Sequence, residues 1–424
     1  MTIRYWIGNA QYRSQVEAGT VTAVANGATV SATINDKTLT YTCDADDTEA
    51  DAATGLVALC TASDAPPEFT ELAWTVDGDA VVATASTPGT PFAGMTGGLV
   101  FSAAGGATIV QTTEQANSSP SDVANAKNWA TGAGVTGLPG AGDDLVLQAS
   151  SVSLLWNLDY FVGTSFASIT RWGNFTGDVG LAPLNPNGLY REYRPQYFQC
   201  GPHTVGSSSA GPGSAIQITL GLGAGNGPQL EAWDVGSQQA TLNVLGGQAV
   251  RFLGTHASNT GTIVNATVTV ANLAAETSSF ASLSVDGGAN VTLGEGVSFS
   301  GALTVSNGQV TTYIATASLL ASNNSTVTVR SQDTTHPVIT AEGGSTIAWL
   351  SNSDITTLTL RSSATLDKSQ SILPITVTNS TIDGANCQIL DPFSTVTWTN
   401  PTTVNGQVTT GPFTFLGPRT VQIV

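Results

Sequence analysis

Ten consecutive positions hold the densest chemistry in the chain. Leu189-Tyr190-Arg191-Glu192-Tyr193-Arg194-Pro195-Gln196-Tyr197-Phe198 carries two of the 12 basic residues and four aromatics. Aromatic faces stack on sugar rings, and Arg forks bind hydroxyls or carboxylates. Tyr190, Arg191, Tyr193, Arg194 and Tyr197 are therefore candidates for a glycan-binding site. Tyr and Arg are also enriched where subunits meet, so a packed loop or subunit contact is the competing and commoner reading. Cleaving a glycosidic bond needs two carboxylates facing one groove. Asp143, Asp144, Asp159, Asp178, Glu192, Glu231 and Asp234 are the candidates. Several stand beside Gly or Asn, where Asp forms turns, and Asp143 and Asp144 would face opposite sides of a strand. No pair stands out, so no catalytic residue is assigned, and a glycoside hydrolase or lyase is the runner-up to a non-enzymatic chain.

Other chemistry is thin. Gly221-Leu222-Gly223-Ala224-Gly225-Asn226-Gly227 has the glycines of a phosphate loop but lacks the following Lys-Ser/Thr and helix. Asp286-Gly287-Gly288-Ala289-Asn290 is a turn without calcium-loop spacing. His203, His256 and His336 are far apart, and Cys43, Cys60, Cys200 and Cys387 form no CxxC pair, so neither a metal nor a cofactor is expected. Cys43 and Cys60 could meet if strand and helix pack together, although buried thiols acting as small hydrophobes are the commoner outcome. Net charge is −18, from 30 acidic and 12 basic residues. That balance argues against nucleic acid, whose phosphates require clustered Lys and Arg. No 18-residue apolar run suggests membrane insertion, and the start Met1-Thr2-Ile3-Arg4-Tyr5-Trp6 shows no apolar signal-peptide segment.

The elements that must position these residues are β-strands. Charged residues are only 10% of the chain, and 46 glycines stand among runs of Ala, Ser, Thr, Asn and Val. Short alternating words recur, among them Thr267-Val268-Thr269-Val270, Leu283-Ser284-Val285, Leu303-Thr304-Val305 and Val327-Thr328-Val329. Alternation predicts strands, and the Gly, Asn and Asp between the words predict tight turns. Apolar anchors fall at Leu283, Leu303, Val327, Ile347, Leu358 and Ile375, with steps from 11 residues (Ile347 to Leu358) to 24 (Leu303 to Val327). Those steps scatter about the ~20 residues of one coil in a repeat stack.

Four regions follow. Residues 1–113 read as a compact β-rich head, with strands near 21–34, 39–43, 71–76, 80–85 and 108–113. Its one helix opens at Asp47-Thr48-Glu49, where a cap and first-turn acids suit the helix dipole. Residues 114–128 read as a polar linker. Residues 129–395 read as the stack, containing an aromatic- and Pro-rich segment at 156–235. Residues 396–424 read as a β cap, because an open stack end exposes unpaired edges. Trp129 is either the cap of the other end or an ordinary core Trp.

Asn128-Trp129-Ala130-Thr131-Gly132, followed by Pro139-Gly140-Ala141-Gly142-Asp143-Asp144 and a strand, resembles the opening rungs of right-handed parallel β-helices in bacterial surface proteins and phage structural proteins. The opening Arg4-Tyr5-Trp6-Ile7-Gly8 resembles N-terminal domains of phage and prophage proteins. The resemblance covers roughly the first 150 residues, and it brings no catalytic motif. It implies a mainly β chain: a small N-terminal β-sandwich or α+β head followed by a right-handed parallel β-helix. Its implied role is a non-enzymatic virion protein, made in the host cytoplasm and displayed on the particle as capsid decoration or as a tail fibre or spike. The implied partners are two further copies in a homotrimer, other virion proteins through the head, and a host surface glycan.

Overall fold

The computed structural model describes residues 2–182, 194–203, 215–273, 275–384, 386–393 and 395–404, and the backbone of 407–408 and 419–423. Strand makes up 49% of the structure and helix 5%. Two long sheets, of 16 and 12 strands, take alternate strands from the chain. Each turn of the chain therefore lays one strand on each sheet. The result is a β-solenoid of about 12 turns, following an N-terminal antiparallel region.

The period-two words form because each strand buries one face and wets the other. In the larger sheet Leu283 stacks on Gly261, Leu303 on Leu283, Leu319 on Leu303, Ile339 on Leu319 and Leu358 on Ile339. In the facing sheet Val268, Val291, Val310, Val327, Ile347 and Leu366 form the matching column. All of these apolar side chains are buried. Each is worth about 1.5–3 kcal/mol of apolar transfer. The uneven anchor steps now have a cause. Leu283 and Leu303 belong to one sheet, Val327 and Ile347 to the other, and Leu358 to the first again.

Outside, the larger sheet presents Thr219, Asn243, Thr262, Ser284 and Thr304 in register. One corner between the sheets repeats a left-handed residue: Asn265 (φ 51), Asn307 (φ 49), Asn323 (φ 53) and Ser362 (φ 49). Asn tolerates that conformation better than other non-glycine residues, so the Asn/Gly punctuation marks this corner.

The head departs from the expected boundary at its start. Ile3–Trp6 pairs in parallel with Asp144–Leu147 and antiparallel with Trp129–Ala130, so the first residues belong to the solenoid. The head is an excursion from that rung. It leaves past Arg13 and returns past Ser118, two residues that bridge one another. Residues 118–128 fold tightly: Asn128 Oδ1 accepts from Ala10 N (2.7 Å), and its Nδ2 donates to Ser119 O and Asp122 O. Trp129 is buried against Trp6 (4.9 Å, edge-on) and Phe161. Its Nε1 donates to Val123 O, which closes this end of the stack. At the far end Arg419–Ile423 pairs antiparallel with Cys387–Asp391.

The head itself holds antiparallel sheets of four and three strands around a buried cluster including Val30, Leu56, Phe69 and Trp74. Its helix, Glu49–Cys60, begins with a Thr48–Asp51 capping box. A strand at Val100–Ala104 completes the smaller sheet. Alternation in that stretch is short and Gly-flanked, so the sequence carries no strand signal there.

One core position breaks the aliphatic rule. Arg171 stacks between Leu147 and Leu220 on the inward face, 1% exposed. Its Nε donates to both oxygens of Glu231 (3.2 and 3.1 Å), and its Nη2 donates to Oε2 (2.7 Å) and to Gly246 O (2.8 Å). Trp233 Nε1 also donates to Glu231 (3.0 Å). A Cβ at Gly227 would stand 2.8 Å from the guanidinium, so glycine there makes room for the pair. Replacing Glu231 with Leu leaves a buried unpaired cation and should destabilise the chain by about 3–5 kcal/mol. Arg171→Met with Glu231→Leu should recover most of that loss. Urea denaturation of the two variants checks it, and equal losses in both would refute the pair as the cause.

Candidate functional site at the head–solenoid junction

Of the five aromatic and basic candidates, Tyr190, Arg191 and Tyr193 lie outside the described residues. Arg194 and Tyr197 are described, and the structure sends them to different places. Arg194, 4% exposed, turns toward the head. Its Nη2 (2.7 Å) and Nε (3.2 Å) donate to Pro91 O, and it pairs with Glu71 at 3.4 Å. Its guanidinium carbon lies 5.5 Å from the centre of the Trp156 ring. Arg194 therefore ties the solenoid to the head. Beside it opens a cleft of about 380 Å³, lined by Glu71, Thr87, Thr90, Phe92, Trp156 and Arg194. Half-buried Trp156 gives that cleft an aromatic wall, and the Thr hydroxyls and Glu71 give it acceptors and donors. Trp156 has no sequence signal, because a lone Trp in a Pro-rich segment carries no period.

Tyr197 instead lies on the outer face of the smaller sheet. Its hydroxyl donates to Glu276, and Arg251 covers its ring at 4.3 Å while donating to Glu276 (3.0 Å). Burial, reinforced by that carboxylate, pushes the Tyr197 phenol well above its ordinary range. Next to this cluster His203 contacts Asp234 at 3.2 Å. Tyr197 and Arg194 thus do not share a site.

The carboxylate candidates are spread among structural bonds. Asp143 accepts from Thr2 N and Gly140 N (3.0 Å each) and faces Arg4 at 3.5 Å, pinning the first strand. Asp144 accepts from Ser168 Oγ (2.6 Å). Asp178 accepts from Gln229 N and Leu230 N (3.1 and 3.0 Å). Glu231 faces the core with Arg171, whereas Asp234, three residues on, lies outside and caps Gly236 N (2.9 Å). Asp159 is exposed at the rim of a small crevice beside Trp156 and Arg194. Glu192 lies outside the described residues.

The Gly221–Gly227 run is a tight corner. A Cβ at Gly225 would stand 1.9 Å from Gly173 O, and Gly227 N donates to that same carbonyl (3.2 Å). Close backbone contact explains these glycines. The Asp286–Gly287 turn is likewise local, with Asp286 Oδ1 accepting from Gly287 N (2.7 Å). Cys43, Cys60, Cys200 and Cys387 are free and buried. Among the described residues no group of three or more His, Cys, Asp or Glu side chains could hold a metal ion, and no helix is long and apolar enough to cross a membrane.

Sequence reasoning missed a polar seam inside the C-terminal half. Ser331 Oγ meets His336 Nε2 at 2.8 Å and lies near Ser351 (3.3 Å) and Ser353 (3.1 Å). All four are at most 1% exposed, and His336 packs edge-on against Trp349 at 4.9 Å. The Ser331–His336 spacing suits a nucleophile and base. Sealed in the core, the pair meets no substrate. Two rungs on, Lys368 is fully buried and donates to Leu373 O (2.8 Å). Alternation marks these positions as inward, but nothing in one sequence says which rung's polar residue meets which.

The fold therefore defines the class: a β-solenoid carrying an inserted head. Comparison with protein-family models, with curated proteins and with solved structures gives no match to this chain.

Burial lowers His336 from its ordinary 6.5 to about 4. The unfolded chain then binds the proton first as pH falls. The stability His336 contributes is complete above about pH 6.5 and is lost as pH falls through 4. By pH 5 the loss should reach roughly 2 kcal/mol. Denaturation at pH 7 and pH 5 of the chain and of His336→Gln checks it, since the variant should lack this part of the pH slope.

Proposed function

We propose that this chain is a non-enzymatic, surface-displayed structural protein of a bacteriophage particle, as capsid decoration or as a tail fibre or spike. Solenoids of stacked parallel strands are typical of surface-exposed fibre and tailspike proteins. The observation that carries the reading is where the polar chemistry goes. Asp143, Asp144, Asp178, Glu231 and Arg194 are each engaged in bonds that hold strands, turns or the head in place. What is left on the outer face of the larger sheet is a long column of Thr, Ser and Asn. In this reading the inserted head docks onto other virion proteins and the solenoid projects. Three copies associate, because closed symmetry is the usual form of homo-oligomers and small outward side chains allow flat faces to pack.

The second reading is a glycan-binding or glycan-cleaving tailspike. The cleft with Trp156, Glu71 and Arg194 favours the binding form, since an aromatic wall beside hydrogen-bonding groups suits a sugar. Mass spectrometry of purified virions should detect this chain, and immuno-electron microscopy should place it on the outside. Its absence from the particle ends the structural reading. Release of reducing sugar from host envelope glycans, lost on replacing one carboxylate, would instead identify an enzyme. Light scattering of the purified chain should give three times its 43.1 kDa, and a monomer at micromolar concentration removes the trimer.

A further inference from the structure

The head leaves and rejoins the solenoid through a two-stranded neck, and a hollow of about 400 Å³ lies against it. Its walls come from the outgoing chain (Gln11, Arg13) and the returning one (Glu114, Gln115, Asn117, Lys127). Arg13 and Lys127 stand 114 positions apart in a chain with only 12 basic residues, yet both line this space. Neither forms an ion pair among the described residues, whereas Arg4, Arg171, Arg194 and Arg251 all do. Both are planted on fixed backbone. Arg13 N donates to Ser118 O (2.8 Å), and Arg13 O accepts from Gly89 N (3.0 Å). Lys127 N donates to Asn125 Oδ1 (3.0 Å), the cap of a short 3-10 turn.

The remaining groups narrow the ligand. Asn117 Nδ2 is held by Asp122 (3.3 Å), but its buried Oδ1 accepts no hydrogen bond. Gln115 spends its Nε2 on Ser14 O (2.6 Å), which leaves its oxygen as an acceptor. Glu114 adds a carboxylate. Acceptors of this kind call for hydroxyl donors, and the two cations call for a negative charge. Glu114 in the same lining would repel a phosphate oxygen held against it, whereas a sugar hydroxyl can donate to it. A single carboxylate on a polyhydroxylated ring satisfies every group.

We infer that the neck hollow binds a carboxylated sugar, of the uronic acid class, with its carboxylate on Arg13 and Lys127 and its hydroxyls on Asn117, Gln115 and Glu114. The volume lies within the range of small-ligand sites. The inference deepens the host-glycan part of the proposed function and rests on it for its biological setting. The test is titration calorimetry of the whole chain with a tetramer of glucuronic acid and, separately, a tetramer of glucose. The acidic tetramer should bind at least ten times more tightly, and the advantage should shrink as salt rises. Arg13→Glu and Lys127→Glu should each weaken it at least tenfold with an unchanged melting temperature. Arg330→Glu, on an exposed solenoid corner, should leave it unaltered. Equal binding of the two tetramers, binding of neither, or full binding by the Arg13 and Lys127 variants overturns the site. Competition by inorganic phosphate as strong as by the acidic tetramer overturns the sugar class. Absence of the chain from virions would sink the structural reading while leaving this measurement as it stands.

Discussion

Parallel register is the constraint on which the rest of this molecule depends. Once Leu303 is paired with Leu283, Ser282 to Val285 are each set on a named neighbour one rung away, and a single irregularity between Phe280 and Ser282 resets the offset for the residues before them. A strand slip of one residue would turn the whole inward set to solvent, so burial enforces the register and the register enforces burial. The backbone spacing between rungs, about 4.8 Å, is close enough for side chains to stack without a gap. Small and medium aliphatics fill the thin interior. Large aromatics gather in the first rungs, where Phe161, Phe198 and Trp233 pack in sequence.

The same constraint explains the polar exceptions. An inward polar side chain cannot reach water, so it must find its partner across the solenoid or on an adjoining rung. Arg171 reaches across to Glu231 on the opposite sheet, and Ser331 reaches His336 along its own rung. Lys368 stands one rung from Asp391, yet its ammonium goes to a carbonyl. Burial accordingly lowers it to about 8 even with that carboxylate nearby. Asp391 in turn accepts from Thr395 Oγ1 and Val396 N, which orders the turn leading out of Cys387–Asp391. Such positions specify which rung follows which, in a stack whose aliphatic rungs are otherwise nearly interchangeable.

What could be read from the sequence follows from this division. The Val/Thr alternation and the Asn/Gly corners are local, so strands, turns and the stacked class were legible, as was the helix cap at Thr48. Assigning anchors to sheets was not, because Leu303 and Val327 read alike while lying on opposite walls. The role of Ile3–Trp6 was hidden for a related reason: its partner, Asp144–Leu147, is a head's length away in sequence. The site candidates fared least well. Arg194 and Tyr197 are neighbours in the chain, but their side chains leave the backbone toward different structures, Pro91 and Glu276. Spacing along one strand says which face a residue takes, and says nothing about what stands over that face.

Chemistry in such a molecule is therefore expected where the register ends. Along the larger sheet the outward column repeats Thr, Ser and Asn from rung to rung, so a ligand would find many similar positions there. Uniqueness arises where chain is inserted. At the neck, strands from the start of the head and its end come together. They bring Arg13 beside Lys127 and leave Asn117 Oδ1 without a donor. Arg194 and Trp156 likewise meet residues of the head that no solenoid rung could supply. A repetitive wall can give length and stiffness. The head, set into the first rung and riveted by Arg194, breaks translational symmetry, and specificity can be built there.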